Sequence, residues 1–268
     1  MTDSSVAFSA HADHELRLNN GDRVLVANQG AHVLSWQTHD GGEQLYLSPH
    51  SVWDGHTAIR GGVPICFPQF NLRGTLPKHG FARNLTWQRL PGAAHGEHRA
   101  ELCMQLQHDP QTLALWPHAF TLLWRVVLEP RRLTLELTVT NTGATPLTFT
   151  GALHTYLRMR DIQHVRLHGL GPESVSFDAE FDQVFRAAAQ PLRVQEGRRT
   201  VHCQQSESWP EHVVWNPGAE KCATLPDMPA DGYRQMLCIE AAAVNQAIDV
   251  LPGAQWVGWQ KLEVNETP

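Results

Sequence analysis

Alternating hydrophobic and polar residues recur along the chain and predict β-strands. In the segment LTLELTVT, residues 133–140, leucine or valine occupies every second position, and threonine or glutamate lies between them. Successive side chains of a strand point to opposite faces of its sheet, so this pattern is typical of a strand with one buried face. No run of comparable length has helical periodicity. The pattern therefore predicts an all-β protein with little helix.

Further strand candidates are short and are separated by turn signals. Asn-Gln-Gly and Asp-Gly-Gly separate the first three, and Pro252 with Gly253 separates the last two. Short strands at such spacing predict a large antiparallel β-sandwich. Besides 133–140 and the two strands at Pro252, the candidates are 22–27, 31–38, 44–48, 101–107, 120–129 and 146–159.

Length and charge narrow the class of protein. The chain has 268 residues and no internal repeat or low-complexity linker, so we expect one domain over residues 1–268. The net charge of −6 argues against a nucleic-acid binder or a polybasic membrane surface, because both need a broad cationic face. Any anion-binding site must then be local.

The N-terminus, the cysteines and the histidines carry no localisation or metal signal. Residues 1–15 lack a cationic start and an apolar core, and no apolar run approaches the roughly 18 residues of a spanning helix. The five cysteines are scattered and form no Cys-x-x-Cys pair, which predicts reduced thiols. The sixteen histidines include no H-E-x-x-H motif. We expect a cytoplasmic protein without metal or membrane contact.

The segment Thr57 to Trp87 concentrates cations in a stretch that cannot form a continuous helix. It contains Arg60, Lys78, His79 and Arg83. Its prolines fix the backbone and its glycines permit conformations closed to other residues, which predicts a looping wall. Three converging cations would form an anion pocket, since arginine and lysine both bind phosphate or carboxylate. The alternative is that each is a solvated surface cation.

His154 lies among small polar residues on one predicted strand face. Alternation places Thr148, Thr150, Ala152 and His154 opposite a face of Leu147, Phe149, Gly151 and Leu153. Such a histidine is suited to the floor of a cleft for a hydroxylated ligand, where imidazole can exchange a proton near neutral pH. A structural histidine that bonds its neighbours is the alternative.

Two acidic residues are further candidates. Glu240 interrupts the apolar run MLCIEAAAV, residues 236–244, and a buried carboxylate is costly unless it is paired. It therefore has either a catalytic use or a structural salt bridge. Asp182 lies among aromatic residues in SVSFDAEFDQVF, residues 174–185, where it would bind sugar hydroxyls or simply be solvated.

Several sequence blocks together resemble a known family. They are IRGGVPICFPQF, LPKHGFARNLTW, GALHTYLRMRDI, VVWNPG and MLCIEAAAV, followed by LPG and Trp256. In this order, and over nearly the whole chain, they resemble the glucose-6-phosphate 1-epimerase branch of the aldose 1-epimerase family. The resemblance implies a β-sandwich of the galactose-mutarotase type, and an isomerase that interconverts the α and β anomers of D-glucose 6-phosphate and related aldohexose 6-phosphates.

The resemblance also implies residue roles. His154 would be the general acid that protonates the ring oxygen, and Glu240 the general base that takes the anomeric proton. The implied substrate-binding residues are Arg60, Lys78, His79, Arg83 and Asp182. Lys78 departs from the family, which usually has glutamine there, and the chain between Gly169 and Ser174 is shorter than in many relatives.

The resemblance implies no cofactor, a small-molecule hexose phosphate as the partner, and a monomer. Three alternatives remain open. An epimerase of unphosphorylated aldoses would share the fold and the acid–base pair. A non-catalytic sugar-binding sandwich would need the pocket but neither proton-transfer group, and a histidine-metal β-barrel enzyme would need several converging histidines.

Overall fold

The structure, a computed structural model, describes residues 9–92 and 96–266. Residues 1–8 lie outside the described residues. They belong to the segment 1–15, in which we expect no secretory signal. The expectation of a single domain stays a prediction. None of the helices in the described ranges is long and apolar enough to cross a membrane.

The described residues form eighteen strands and two short helices. The strands are β1 (His14–Arg17), β2 (Arg23–Val26), β3 (Val33–Thr38), β4 (Gly42–Glu43), β5 (Ile65–Cys66), β6 (Gln88–Arg89), β7 (Ala100–Gln107), β8 (Phe120–Glu129), β9 (Arg132–Asn141), β10 (Leu147–Leu153), β11 (Tyr156–Arg158), β12 (Val165–His168), β13 (Phe181–Arg186), β14 (Leu192–Glu196), β15 (Arg199–Gln205), β16 (Glu211–Asn216), β17 (Met236–Val250) and β18 (Gln255–Glu266). The helices are α1 (Pro110–Leu115) and α2 (Gly218–Cys222), and 3-10 turns occupy Ala82–Asn84, Ile162–His164 and Gly232–Gln235.

The strands build three antiparallel sheets around one main core. A four-stranded sheet has the order β1-β2-β3-β4, and an eight-stranded sheet runs β12-β14-β15-β18-β9-β8-β7-β6. The six-stranded sheet has the order β13-β16-β17-β10-β5, and β11 also pairs with β17. Alternate side chains of all three sheets meet in one hydrophobic cluster, which leaves the other face of the six-stranded sheet available for a site. The predicted all-β sandwich is confirmed.

Most predicted strands are present, and one is not. β8 has the predicted bounds and β9 extends the predicted segment by one residue at each end. The segment 44–48 is instead irregular, with single bridges from Leu45 to Leu157 and from Leu47 to Gly61. Its residues pair one at a time with two different segments, so no ladder forms although the side chains alternate.

Helix α1 was not predicted, although its sequence carries a start signal. Asp109 accepts a hydrogen bond from the Thr112 amide, the Thr112 hydroxyl accepts one from the Asp109 amide, and Pro110 occupies the first turn. Six residues are too few for helical periodicity to show. Capping chemistry, not an amphipathic pattern, defines this helix.

Close backbone approaches shape the wall that the segment 57–87 forms. β5 pairs with the end of β10, where a Cβ on Gly151 would overlap the carbonyl oxygen of Cys66. Gly80 has a φ of 71° and a Cβ there would overlap the carbonyl oxygen of Phe67. These two glycines allow the loop to lie directly against the sheet edge beside His154.

Candidate active site

A cavity of about 290 Å³ lies on the face of the six-stranded sheet that is turned away from the main core. Val213 pairs with Glu240, and Asp182 pairs with Trp215, so these side chains share that face. All seven residues predicted for the site line this cavity: Arg60, Lys78, His79, Arg83, His154, Asp182 and Glu240. A more open cleft of about 920 Å³ near Arg186 and Trp259 contains none of them.

His154 and Glu240 form the floor of the cavity. Nδ1 of His154 lies 3.2 Å from Oε1 of Glu240, and both side chains are buried, the carboxylate being 1% exposed. The predicted strand 146–159 is interrupted at residues 154–155, and His154 directly follows the end of β10. Leu153 pairs with Ala241, so the next residue, His154, comes to lie beside Glu240. If His154 and Glu240 had only a structural role, each would therefore serve as the partner of the other.

Burial shifts the pKa values of these two groups in opposite directions. It raises the pKa of Glu240 well above its usual value, and the negative charge of Asp182 adds to this effect. It lowers the pKa of His154 well below its usual value, and the ring of His79 and the guanidinium of Arg60 lower it further. Both shifts disfavour the charged forms. A carboxylate here is a stronger base than usual, and an imidazolium is a stronger acid.

Tyr156 and Asp227 connect Arg60 to this pair. The Tyr156 hydroxyl accepts a hydrogen bond of 3.0 Å from Nη1 of Arg60 and lies 3.4 Å from Nε2 of His154. The phenol and imidazole rings are stacked with centroids 4.6 Å apart. Asp227 accepts hydrogen bonds of 3.1 Å from Nε and 3.2 Å from Nη2 of Arg60. The charge of Arg60 is therefore already paired.

The sequence reasoning missed both connecting residues. Asp227 lies in the segment 213–235, which is rich in turn-forming residues, where a charged side chain gives no signal of a site. Tyr156 follows His154 by two positions, so the alternation of the predicted strand 146–159 already placed both side chains on one face.

Three other cations surround the cavity mouth, and we call Lys78, Arg83 and Lys221 the rim cations. None of them has an ion pair with another described residue, and Nε of Arg83 is buried without a hydrogen-bond partner. Burial lowers the pKa of Lys78, and the positive charges of Arg60, Arg83 and Lys221, which line the same cavity, lower it further. Lys221 comes from α2 and was not predicted.

His79 and Asp182 complete the predicted set. His79 has a φ of 65°, and its Nδ1 accepts a hydrogen bond from the Asn71 amide, so its ring donates only through Nε2. Burial lowers the pKa of His79 to about 2, and Arg83 contributes to the shift. Asp182 is exposed and its carboxylate makes no hydrogen bond to the described residues, which leaves its oxygens for a ligand.

One group of side chains at the floor could hold a metal ion. Ligand atoms of His154, Cys238 and Glu240 all lie within 4.8 Å of one another, and all three residues are buried. All five cysteines are free, as predicted, and four of them are buried.

Comparison with known proteins identifies the family. A family model described as aldose 1-epimerase matches residues 14–263. A protein of Cenchrus ciliaris named "Putative glucose-6-phosphate 1-epimerase" is 34% identical over 254 residues, which cover 85% of this chain and 77% of that protein. A Salmonella typhimurium protein of the same name is also 34% identical, over 86% of this chain and 84% of its own.

Solved structures agree with these matches. The crystal structure of a Salmonella typhimurium protein described as a "putative mutarotase (YeaD)" superposes with a TM-score of 0.85 and 29% identity, covering 92% of this chain and 88% of that one. A galactose 1-epimerase from Lactobacillus acidophilus has a TM-score of 0.69 at 14% identity, over 95% and 94% of the two chains, and shows the shared fold alone. The chain therefore belongs to the aldose 1-epimerase family of isomerases.

Proposed function

We propose that this isomerase interconverts the α and β anomers of D-glucose 6-phosphate and of related aldohexose 6-phosphates. The observation that carries the proposal is the buried His154–Glu240 pair, 3.2 Å apart, at the floor of a cavity whose mouth holds three unpaired cations. The pair supplies proton transfer, and the rim cations supply binding energy for a phosphate. The names of the 34% identical relatives point to the same substrate.

The reaction requires two coupled proton transfers. Opening the cyclic hemiacetal removes the proton of the anomeric hydroxyl and protonates the ring oxygen, and reclosure on the other carbonyl face reverses both transfers. Glu240 as a carboxylate takes the anomeric proton, while His154 as an imidazolium protonates the ring oxygen. After ring opening both groups are neutral, which is the state that burial favours. The opposed pKa shifts thus favour both proton transfers of ring opening once the pair is charged, and the neutral pair that results carries out reclosure.

Other residues of the cavity hold the sugar. Lys78, Arg83 and Lys221 bind the 6-phosphate, each contact contributing roughly 1.5–3 kcal/mol as a charge-assisted hydrogen bond. Arg60, whose charge is paired with Asp227, donates to a sugar oxygen and holds Tyr156 beside His154. Asp182 accepts from sugar hydroxyls, and His79 donates through Nε2.

The proposal also covers the location of the protein, its oligomeric state and its need for a cofactor. The chain acts in the cytoplasm as a monomer of one domain, on a free small molecule, without a metal or organic cofactor. Its free, mostly buried cysteines and its net charge of −6 support this setting. Light scattering at micromolar concentration should give the mass of one chain, 30.0 kDa.

The test is a comparison of two substrates. The approach to anomeric equilibrium is followed by NMR exchange, starting from α-glucose 6-phosphate and, in parallel, from α-glucose, with the uncatalysed rates subtracted. We expect kcat/KM for the phosphorylated sugar to be larger by at least about a hundredfold, since several charge-assisted contacts are lost with the phosphate. Equal values would favour an epimerase of unphosphorylated aldoses, and no catalysis on either sugar would favour a binding protein.

A further inference from the structure

Cys238 lies beside the acid–base pair and has no role in the proposed reaction. It precedes Glu240 by two residues on β17, so its side chain points to the same face of the sheet. It is fully buried in a cluster that includes Tyr156, its backbone partner across β11 and β17. A thiol in this position is close to both proton-transfer groups.

The three side chains have the spacing of ligands around one metal ion. A tetrahedral zinc ion has bond lengths of about 2.0–2.3 Å, which separates two of its ligand atoms by roughly 3.3–3.8 Å. Nδ1 of His154 and Oε1 of Glu240 are already 3.2 Å apart, and the ligand atoms of all three residues lie within 4.8 Å. The widest of these separations exceeds the tetrahedral value by at most about 1 Å, so a bound ion would draw the three ligand atoms slightly together.

The polar atoms of the floor are short of partners. Oε2 of Glu240 is buried and makes no hydrogen bond to the described residues, and Nδ1 of His154, also buried, has Oε1 of Glu240 3.2 Å away without forming a hydrogen bond to it. Buried polar atoms without a partner are costly, and a bound ligand often satisfies them. A cation coordinated by His154 and Glu240 would satisfy the buried polar atoms of both residues at once.

We propose that Cys238, His154 and Glu240 form a site for a borderline-soft divalent cation, best represented by Zn²⁺, which blocks the isomerase. Thiolate, imidazole and carboxylate together form a ligand set for zinc, whereas Mg²⁺ and Ca²⁺ prefer oxygen ligands. Three protein ligands leave the fourth position of the ion open to water in the cavity. The bound ion occupies the lone pairs with which Glu240 and His154 would exchange protons with the sugar.

Binding of the ion is linked to proton release. The Cys238 thiol loses its proton to solvent, and the proton held by the His154–Glu240 pair leaves as well, because each ligand binds in its deprotonated form. The thiolate and the carboxylate then balance the two charges of the ion. Arg60, Lys78 and Arg83 surround His154 with positive charge, which opposes any cation, so an ion that bonds strongly to sulfur gains most here.

Binding is tested with Co²⁺, which replaces Zn²⁺ and reports its ligands by absorption. Titration of the metal-stripped protein should give one equivalent of bound Co²⁺, a thiolate-to-cobalt charge-transfer band and the intense visible bands of tetrahedral cobalt. Cys238→Ala and Cys238→Ser should both lose the charge-transfer band. Cys66→Ala is the matched control, since Cys66 is also buried on this face of the sheet but lies outside the ligand set, and its spectrum should match that of the parent.

Inhibition is tested separately and rests on the proposed function. Zn²⁺ should slow the anomerisation of α-glucose 6-phosphate by the parent and by Cys66→Ala, more strongly at pH 8 than at pH 6. Cys238→Ala without metal should keep a rate near that of the parent, and its half-inhibiting Zn²⁺ concentration should rise by at least about tenfold.

The outcomes separate the two proposals. A cobalt spectrum without a thiolate band, or equal zinc sensitivity in Cys238→Ala and the parent, would overturn the metal site. A cysteine-dependent cobalt spectrum in a protein that catalyses no anomerisation would retain the metal site and refute the proposed function instead.

Discussion

Asp227 holds Arg60 through both of its carboxylate oxygens, at 3.0 to 3.2 Å, in a pair whose side chains are 21% and 23% exposed. The arginine that the resemblance assigns to substrate binding is therefore already ion-paired, while still positively charged, before any ligand enters. Lys78, Arg83 and Lys221 carry no such partner among the described residues. The cavity thus has two kinds of cation, and they should respond differently to substitution.

The rim cations should determine preference for the phosphorylated sugar. Arg83→Ala and Lys221→Ala should each lower kcat/KM for glucose 6-phosphate by about one to two powers of ten, because each removes a charge-assisted contact of roughly 1.5–3 kcal/mol. The rate on glucose should stay near that of the parent. Arg193→Ala, at an exposed position of β14 outside the cavity, is the matched control. Parallel losses on both sugars would instead assign the rim cations to the sugar ring or the fold.

Arg60 and Asp227 should act as a unit on both substrates. Asp227→Asn leaves the half-buried guanidinium without its charge partner and loosens the Tyr156 hydroxyl beside His154, so kcat should fall about equally on glucose and glucose 6-phosphate. Arg60→Ala should do the same, and the double variant should lose little more than either single variant. A selective loss on glucose 6-phosphate would show that Arg60 binds the phosphate.

Buried histidines should make the fold sensitive to acid. Burial lowers the pKa of His32 to about 4, and its Nε2 donates a hydrogen bond of 2.7 Å to the Gly61 carbonyl. The unfolded chain binds this proton from about pH 6.5 downward while the folded chain does not, so stability falls as pH falls from 6.5 to 4. His32 alone should remove about 2 kcal/mol between pH 7 and pH 5.

Urea unfolding at the two pH values checks this expectation. His32→Gln should be less stable than the parent at pH 7, because it disturbs a buried contact, yet it should lose about 2 kcal/mol less on going to pH 5. His50→Gln, at an exposed position, should show the full loss of the parent. An equal pH dependence in His32→Gln and the parent would exclude His32 as a source of acid sensitivity.

The sequence predicts the strands well where one strand pairs over many residues with another. β8 and β9 show this, because their alternation reflects a continuous buried face. It fails for residues 44–48, whose backbone partners belong to two distant segments, and for α1, which is too short to have a period. The alternation of hydrophobic and polar residues within a segment does not show which distant segment its backbone will pair with.

The same limit applies to the site. His154 and Glu240 are conspicuous because each residue type is unusual among its sequence neighbours, small polar residues for His154 and apolar residues for Glu240. Lys221 and Asp227 lie in a segment rich in turn-forming residues, where charged side chains are ordinary. Only the three-dimensional structure shows that Lys221 reaches the cavity mouth and that Asp227 pairs with Arg60.

The acid–base pair carries the central claim, and a double-variant comparison tests it most directly. The measurement is the approach to anomeric equilibrium from pure α-glucose 6-phosphate for the parent, Glu240→Gln, His154→Asn and the double variant, each first shown to melt near the parent temperature. Each single variant should be slower by at least about a hundredfold, and the double variant should be little slower than either, because both groups act in one coupled transfer. A folded Glu240→Gln variant with a rate near that of the parent would remove Glu240 from the mechanism and leave Asp182 as the candidate base.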